Sequence, residues 1–326
     1  MAEIGYGYGS EWHLMRFMAR HRKCLERAIC EKLDDEESKF VWLDFDFANK
    51  TDSSITGDVE IKGLSFLQSD EIKDHLSNEL LDKIKKEAIP EMSKWQSMYL
   101  CGLIKEIKTK KILEVGVAAG GTTALILNTL DLIGNEAEVW SIDILEDFYA
   151  KPWLKTGFMA EEAKKIIGNN VNIKHNLRIG IVPDVIDEVG DGIDFLILDT
   201  VHMVPGEILD FPVCLPYLKD NAIVVLHDVI LHATSIYINN YATQLLLDCI
   251  TADKMPVFGV DNEIGYPNIA ALRINTDTKK YIYDVFSAML LPWQYKISDE
   301  EIDKYRQKYK ELNYSEDCIK VFEKSV

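Results

Sequence analysis

From Lys111 onward, short apolar segments with strand character alternate with segments of helical periodicity, and this alternation limits the fold more than any other feature. The strand segments are KILEV (111–115), EVWSI (138–142), NIKH (172–175), DFLIL (194–198), AIVVL (222–226), PVFGV (256–260) and IAALRI (269–274). Nearly continuous apolar strands separated by helices are typical of a parallel sheet that is covered on both faces. We therefore expect an α/β, Rossmann-like sheet.

The segments on either side of this alternation have helical patterns, so the sequence predicts three regions along the chain. Residues 1–90 read as a helical and small-strand addition, which we interpret as a lid or an oligomer contact. Residues 91–276 hold a first helix, predicted at 91–108, and the sheet. Residues 277–326 read as a helical extension, in which Ser298 and Glu301 have the spacing of a capping box.

The charge balance and the cysteines narrow the class of protein. A formal net charge of −18 has the wrong sign for a nucleic-acid or anionic-membrane binder. The six cysteines are scattered without zinc-site or disulfide-framework spacing, and no apolar run is long enough for a spanning helix. The N-terminus lacks the features of a signal peptide. We expect a cytoplasmic protein that acts on small molecules, and the unassigned helices make a homo-oligomer plausible.

The segment EVGVAAGGTT joins the first strand of the alternation to a helix through residues with little or no side chain. Gly116, Ala118 and Gly120 let a ligand approach the backbone, and Thr122 stands where amide groups at the helix start can face it. The next strand ends in Asp143, 27 residues after Gly116, and an acid there can accept both hydroxyls of a ribose. The alternative is a tight turn that holds no ligand.

This loop resembles motif I of the class I S-adenosylmethionine-dependent methyltransferases, in which an acid precedes a Gly-x-Gly-x-Gly run. Gly116 and Gly120 match that pattern, and Ala118 replaces its middle glycine. The resemblance implies that S-adenosylmethionine is the ligand, that Glu114 and the loop hold its methionine part, and that Asp143 holds the ribose. It also implies that the final strand of the sheet is antiparallel.

Two further strand segments end in acids that have histidines nearby. Asp199 follows LIL and is three residues before His202, whereas Asp228 follows VVL and His227. If these strands are neighbours, Asp199 and Asp228 can bind one hard divalent cation such as Mg²⁺, and His227 is a possible third ligand. His202 is then suited to take a proton from a substrate hydroxyl. The alternative for each residue is a structural role at a strand end.

The Asp-x-x-His and His-Asp pairs resemble a group that includes metal-dependent macrolide-sugar O-methyltransferases and cephalosporin-biosynthesis proteins. The resemblance implies Asp199 and Asp228 as metal ligands and His202 as the base. His227 departs from the Glu-Asp of some members, so its role as a ligand stays open.

For several other residues near these motifs, the sequence does not predict a functional role. Glu207 and Asp210 read as ordinary helix residues, and His232 reads as a residue outside the pocket. Trp153 and Phe158 could cover the adenine or form part of a lid, and Trp293 and Tyr295 suit a lid or a dimer contact. The alternative for these aromatic residues is packing against the sheet.

The sequence therefore predicts a metal-assisted O-methyltransferase that uses S-adenosylmethionine and acts on a hydroxyl of a small molecule or sugar. Residues 91–276 would be its S-adenosylmethionine-binding methyltransferase domain. The alternatives are an NAD-dependent oxidoreductase, which the loop spacing disfavours, and a protein of this fold with a non-methylating or non-catalytic role.

Overall fold

The structure is a computed structural model that describes residue 92 and residues 94–168, 172–233, 237–255 and 268–326. The predicted N-terminal addition, residues 1–90, lies outside these residues, as does the predicted strand 256–260. The helix predicted at 91–108 is present as α1, Lys94–Ile107.

The described strands form a seven-stranded sheet, and the candidate site lies at the carboxyl ends of its strands. Its strands are β1 (Lys111–Val115), β2 (Ala137–Asp143), β3 (Ile173–Ile179), β4 (Ile193–Leu198), β5 (Leu218–His227), β6 (Asp253–Met255) and β7 (Ile269–Arg273). The order is β3-β2-β1-β4-β5-β7-β6, in which β7 is antiparallel to both of its neighbours and β1 to β5 pair in parallel. The predicted Rossmann-like sheet with an antiparallel final strand is confirmed.

Helices connect and flank these strands. After α1 they are α2 (Gly121–Leu132), α3 (Phe158–Ile167), α4 (Val182–Val189), α5 (Gly206–Cys214), α6 (Ala242–Cys249), α7 (Thr276–Lys280), α8 (Tyr283–Ala288), α9 (Asp299–Glu311) and α10 (Glu316–Ser325). Helices α1, α2 and α3 pack in one group, and α4, α5 and α6 pack in another. Helix α9 joins the second group through contacts with α4 and α5.

Burial explains why the central strands are continuously apolar and the edge strand is not. In β4, five of the six residues are buried, because helices cover this part of the sheet. Strand β3 lies at the sheet edge and has no fully buried residue. Its polar residues explain why the sequence predicted only 172–175, whereas the strand runs over Ile173–Ile179. The short edge strand β6 has the same character and was not predicted.

The C-terminal segment is helical, as predicted, and packs through aromatic side chains. The capping box is present, since Ser298 Oγ accepts from the Glu301 amide and Glu301 accepts from the Ser298 amide. Tyr309 is buried against Phe286 and Phe322. None of the helices within the described ranges combines the length and the apolar character that crossing a membrane requires.

Candidate functional site

The glycine loop between β1 and α2 passes very close to two other backbone segments. Gly116 has a φ of +93°, and a Cβ on it would lie 1.9 Å from the carbonyl oxygen of Asp199. Gly120 has a φ of +83°, and its Cβ would lie 2.8 Å from the Cα of Gly157. Ala118 also has a positive φ, +49°. Both glycines are therefore required by packing, because a side chain at either position would push the loop away from its neighbours.

Asp143, at the end of β2, fastens this loop. Its Oδ2 accepts hydrogen bonds from the amides of Val117 and Ala118, each 2.9 Å long, and its Oδ1 accepts from the Leu145 amide at 2.8 Å. A carboxylate has about four acceptor positions, so these three bonds leave about one position, on Oδ1, for a ribose hydroxyl. The predicted ribose contact of Asp143 is compatible with this arrangement and stays a prediction.

Glu114 lies beneath the loop, inside the protein. Its Oε2 accepts from Thr123 Oγ1 at 2.6 Å and from Ser141 Oγ at 2.7 Å, whereas its buried Oε1 has no hydrogen-bond partner among the described residues. Burial raises the pKa of this carboxyl to about 7. Thr122 is also buried, and it starts the first turn of α2 beside Gly121.

A cavity of about 400 Å³ opens where β1, β2 and β4 end. Of the six predicted cofactor residues, Gly116, Ala118 and Asp143 line it, whereas Glu114, Gly120 and Thr122 stand behind its wall. Its size suits a small-molecule ligand. Its wall also includes four residues of the C-terminal segment that the sequence did not assign to the cofactor site: Tyr295, Ile297, Glu301 and Tyr305.

The aromatic residues that the sequence singled out after β2 do not line the cavity. Trp153 is 78% exposed and does not line the cavity, nor does Phe158. Tyr149, from the same loop, does line it. His232 is buried outside the cavity wall, as its sequence reading implied.

Asp199 and Asp228 meet at the tips of β4 and β5, because these two strands pair in parallel. Both acids and His202 offer one ligand atom each, and the three atoms lie within 4.8 Å of one another. His202 Nε2 is 3.2 Å from Asp228 Oδ2 and 3.6 Å from Asp199 Oδ1. The acid pair and histidine that the sequence singled out are therefore brought together.

His227 lies behind this group, with its side chain 1% exposed. Its Nδ1 is 2.9 Å from Asp199 Oδ1, and its Nε2 is 3.2 Å from Gln96 Oε1. Burial lowers the pKa of His227, but the charges of Asp199 and Asp228 outweigh this effect and raise it to about 9. Because both ring nitrogens have protein partners, this geometry suits a residue that orients Asp199 better than it suits a metal ligand.

Glu207 also belongs to this group, although the sequence did not predict it there. It is fully buried in the first turn of α5, so the expectation of an ordinary helix residue is wrong. Its Oε1 is 3.0 Å from His202 Nδ1 and accepts from the amides of Thr200 and His202 at 3.1 and 3.0 Å. An acid five residues after the histidine, at the start of a helix, was the available signal.

The backbone of the group is held in an uncommon conformation. His202 and Asp228 both have a φ of +57°, which few residues other than glycine adopt. The Ala242 amide donates to the His202 carbonyl at 2.9 Å, and Asn268 donates to Asp228 Oδ1. Such residues cluster at functional sites, where surrounding contacts hold the strained conformation in place.

Carboxylates surround His202 and favour its charged form. Burial lowers the pKa of the imidazole, but the charges of Glu207, Asp199 and Asp228 outweigh this effect and raise it to about 9. In this arrangement the ring keeps its proton at neutral pH. A role as proton acceptor therefore requires positive charge to be added near Asp199 and Asp228.

A family model described as "Methyltransferase domain" matches residues 113–229. This range contains the glycine loop, Asp143, Asp199, His202 and Asp228. No curated protein matches the chain.

Solved structures with a similar arrangement include several O-methyltransferases. The chain is 13% identical to a putative caffeoyl-CoA O-methyltransferase from Staphylococcus aureus, with a TM-score of 0.46 over 66% of this chain and 100% of that one. An O-methyltransferase from Bacillus cereus, in complex with SAH, is 14% identical, with a TM-score of 0.40 over 64% and 92%. The MycE methyltransferase of the mycinamycin pathway, in complex with Mg, SAH and mycinamycin VI, is 14% identical, with a TM-score of 0.38 over 61% and 55%.

Proposed function

We propose that the chain is a class I S-adenosylmethionine-dependent methyltransferase that methylates a hydroxyl oxygen of a small molecule or sugar with the help of a divalent cation. The match of residues 113–229 to a methyltransferase-domain model and the strand order of the sheet support this proposal. The observation that carries the proposal is the position of Asp199: it lines the cavity of the glycine loop and also belongs to the Asp199, His202 and Asp228 group. A methyl donor in the cavity would therefore lie beside groups that can activate an acceptor.

The donor would bind along the strand ends. Asp143 would accept from a ribose hydroxyl at its remaining acceptor position, and the loop at Gly116 and Ala118 would face the methionine part. Glu114, Gly120 and Thr122 would support the loop from behind, since none of them lines the cavity.

The residues at the tips of β4 and β5 fit a divalent cation. Asp199 and Asp228 offer the oxygen atoms that a hard cation such as Mg²⁺ prefers, and His202 lies beside them with its Nε2 free of the cation. A cation bound there would supply Lewis acidity that lowers the pKa of an acceptor hydroxyl. His227 would keep Asp199 in place by contacting the same carboxylate from the inner side.

His202 would take the proton that the acceptor hydroxyl loses. The acceptor oxygen forms a bond to the methyl carbon while the bond from that carbon to sulfur breaks, and the hydroxyl proton passes to Nε2 of His202. Glu207 faces Nδ1 and would stabilise the imidazolium that results. Holding the two reactants together in one cavity would supply much of the rate acceleration.

The proposal also covers the kind of acceptor, the partners and the location of the enzyme. The net charge of −18 disfavours a polyanionic acceptor, which leaves neutral hydroxyl compounds and sugars as the first choice. We propose a cytoplasmic enzyme that has neither a nucleic acid nor a membrane as its partner, and a homo-oligomer remains our expectation.

Binding and transfer can be tested separately. Calorimetry with S-adenosylmethionine and S-adenosylhomocysteine tests the cavity, and a parallel titration with NAD tests the oxidoreductase alternative. Radiolabelled methyl transfer to a panel of glycosides and other hydroxyl compounds tests the reaction. We expect binding of both sulfur nucleosides, and transfer that is lost in chelator and restored by Mg²⁺.

Two variants divide the proposal into parts. His202→Ala should abolish transfer and keep donor affinity, whereas Asp228→Asn should remove the dependence on the cation together with most of the activity. Absence of binding by either sulfur nucleoside would end the proposal. Full transfer both in chelator and in Asp228→Asn would contradict the role of the cation and leave the rest of the proposal standing.

A further inference from the structure

The C-terminal segment forms part of the wall of the donor cavity. Helix α9 lies against α4 and α5, where Lys304 Nζ is 2.9 Å from Asp184 Oδ2. Tyr309 OH donates to the carbonyl of Leu209 at 2.8 Å, and Tyr305 lines the cavity. Residues far apart in the sequence are thereby fixed at one end of the site.

Asp210 is a buried acidic side chain at this end of the cavity, which differs from the prediction of an ordinary helix residue. It lines the cavity although it is only 7% exposed, and its Oδ1 accepts a 2.6 Å hydrogen bond from Tyr305 OH. The charge that acts on it is the like charge of Glu207, not a cation. A carboxyl with so little compensation is costly in an interior, and burial raises its pKa to about 7. A ligand in the cavity that donates a hydrogen bond to this carboxyl would offset part of that cost.

The position of the nucleobase follows by elimination. In S-adenosylmethionine the ribose joins the sulfur part to the base through different carbons. If the ribose lies at Asp143 and the methyl points to Asp199, the base must occupy the remaining wall. That wall is mainly apolar, as the flat face of a purine requires: Ile144, Leu145, Ile181, Val182 and Leu209.

We propose that Asp210, positioned by Tyr305, accepts a hydrogen bond from the exocyclic amine of adenine and so selects the base of the methyl donor. The bond from Tyr305 occupies Oδ1, and Oδ2 remains to accept from the amine. The C-terminal extension is then a structural part of the nucleoside site. This inference rests on the proposed function, because it takes the cavity to be the site of the donor.

The test compares S-adenosylhomocysteine with its analogue in which hydrogen replaces the 6-amino group. A buried acceptor that loses its donor disfavours the analogue, so the full-length chain should bind S-adenosylhomocysteine about 10- to 100-fold more tightly by calorimetry. In Asp210→Ala the preference should fall to within about twofold, since no acceptor remains. Tyr305→Phe, a milder change, should lower the preference several-fold by releasing the carboxyl.

Tyr309→Phe is the matched control, because it removes a buried hydroxyl from the same helix outside the cavity wall. Its preference should equal that of the unaltered chain. Equal binding of the two compounds by the unaltered chain, or an unchanged preference in both Asp210→Ala and Tyr305→Phe, overturns the role of Asp210 and leaves the proposed function intact. Failure of the unaltered chain to bind S-adenosylhomocysteine overturns both.

Discussion

His202 Nδ1 lies 3.0 Å from Oε1 of the buried carboxylate of Glu207. The same oxygen accepts from the backbone amide of His202, so one acid fixes both the ring and the left-handed backbone of this residue. The pKa of Glu207 is lowered although burial alone would raise it, because the imidazole of His202 favours the charged form. Glu207 is therefore a positioning residue for the proposed base.

Glu207→Gln should lower the rate of methyl transfer by about 10- to 100-fold, because misplacement of a reacting group by about 1 Å costs this much. The glutamine oxygen can still accept from the two backbone amides, so the loop should keep its shape and the affinity for S-adenosylhomocysteine should be unchanged. Single-turnover rates and calorimetric affinities measure the two effects.

Glu161→Gln is the control for this substitution. Glu161 also lies in the first turn of a helix, α3, but it is exposed and pairs with Lys164. Its variant should keep the full rate. A Glu207→Gln enzyme whose rate matches that of Glu161→Gln would show that the contact with His202 has no part in the reaction.

His227 contacts Asp199 from inside the protein, and its replacement should weaken the proposed cation site. In His227→Asn the carboxylate loses its partner at 2.9 Å, so the affinity for Mn²⁺ should fall by about 10- to 100-fold, as is usual for residues that orient a ligand. Titrations followed by electron paramagnetic resonance give this affinity. His175→Asn, on the edge strand, should bind Mn²⁺ normally. Equal affinities in the two variants would contradict an orienting role for His227.

The sequence predicted those polar residues of the site that directly follow a strand. Asp199 and Asp228 were found because each follows an apolar strand, and parallel pairing of β4 with β5 brings such positions together. Glu207 was missed because its burial depends on the turn at His202, whose positive φ has no marker in the sequence. Asp210 was missed because its partner lies 95 residues away.

The sheet was predicted for a similar reason. Strands covered on both faces are apolar throughout, and this pattern depends on burial rather than on particular contacts. The edge strands β3 and β6 are partly solvated, so their residues carry a weaker signal, and β3 was predicted four residues too short at its C-terminal end.

Gly116 should tolerate no side chain. In Gly116→Ala the Cβ would lie 1.9 Å from the Asp199 carbonyl oxygen at a φ of +93°, so the free energy of unfolding should fall by about 3 kcal/mol or more. Gly134→Ala is the matched control, because Gly134 also has a positive φ, +61°, but open space where the Cβ would stand. It should lose only about 1 kcal/mol. Urea unfolding compares the two variants, and equal losses would mean that the close approach to Asp199 is not required.

Glu114 should make the stability of the ligand-free protein depend on pH. Burial raises the pKa of its carboxyl from 4.5 to about 7, so the folded state holds a proton that the unfolded state releases between these values. Its contribution to stability is therefore complete below pH 4.5 and is lost as the pH rises towards 7. Relative to Glu114→Gln, which does not titrate, the unaltered protein should lose on the order of 3 kcal/mol of unfolding free energy over this range.

Urea unfolding at a series of pH values measures this difference between the unaltered protein and Glu114→Gln. Glu138→Gln on β2 is the control, because it keeps Glu114 and should keep the original pH dependence. Parallel pH profiles for the unaltered protein and Glu114→Gln would mean that the pKa of the Glu114 carboxyl is not raised by folding.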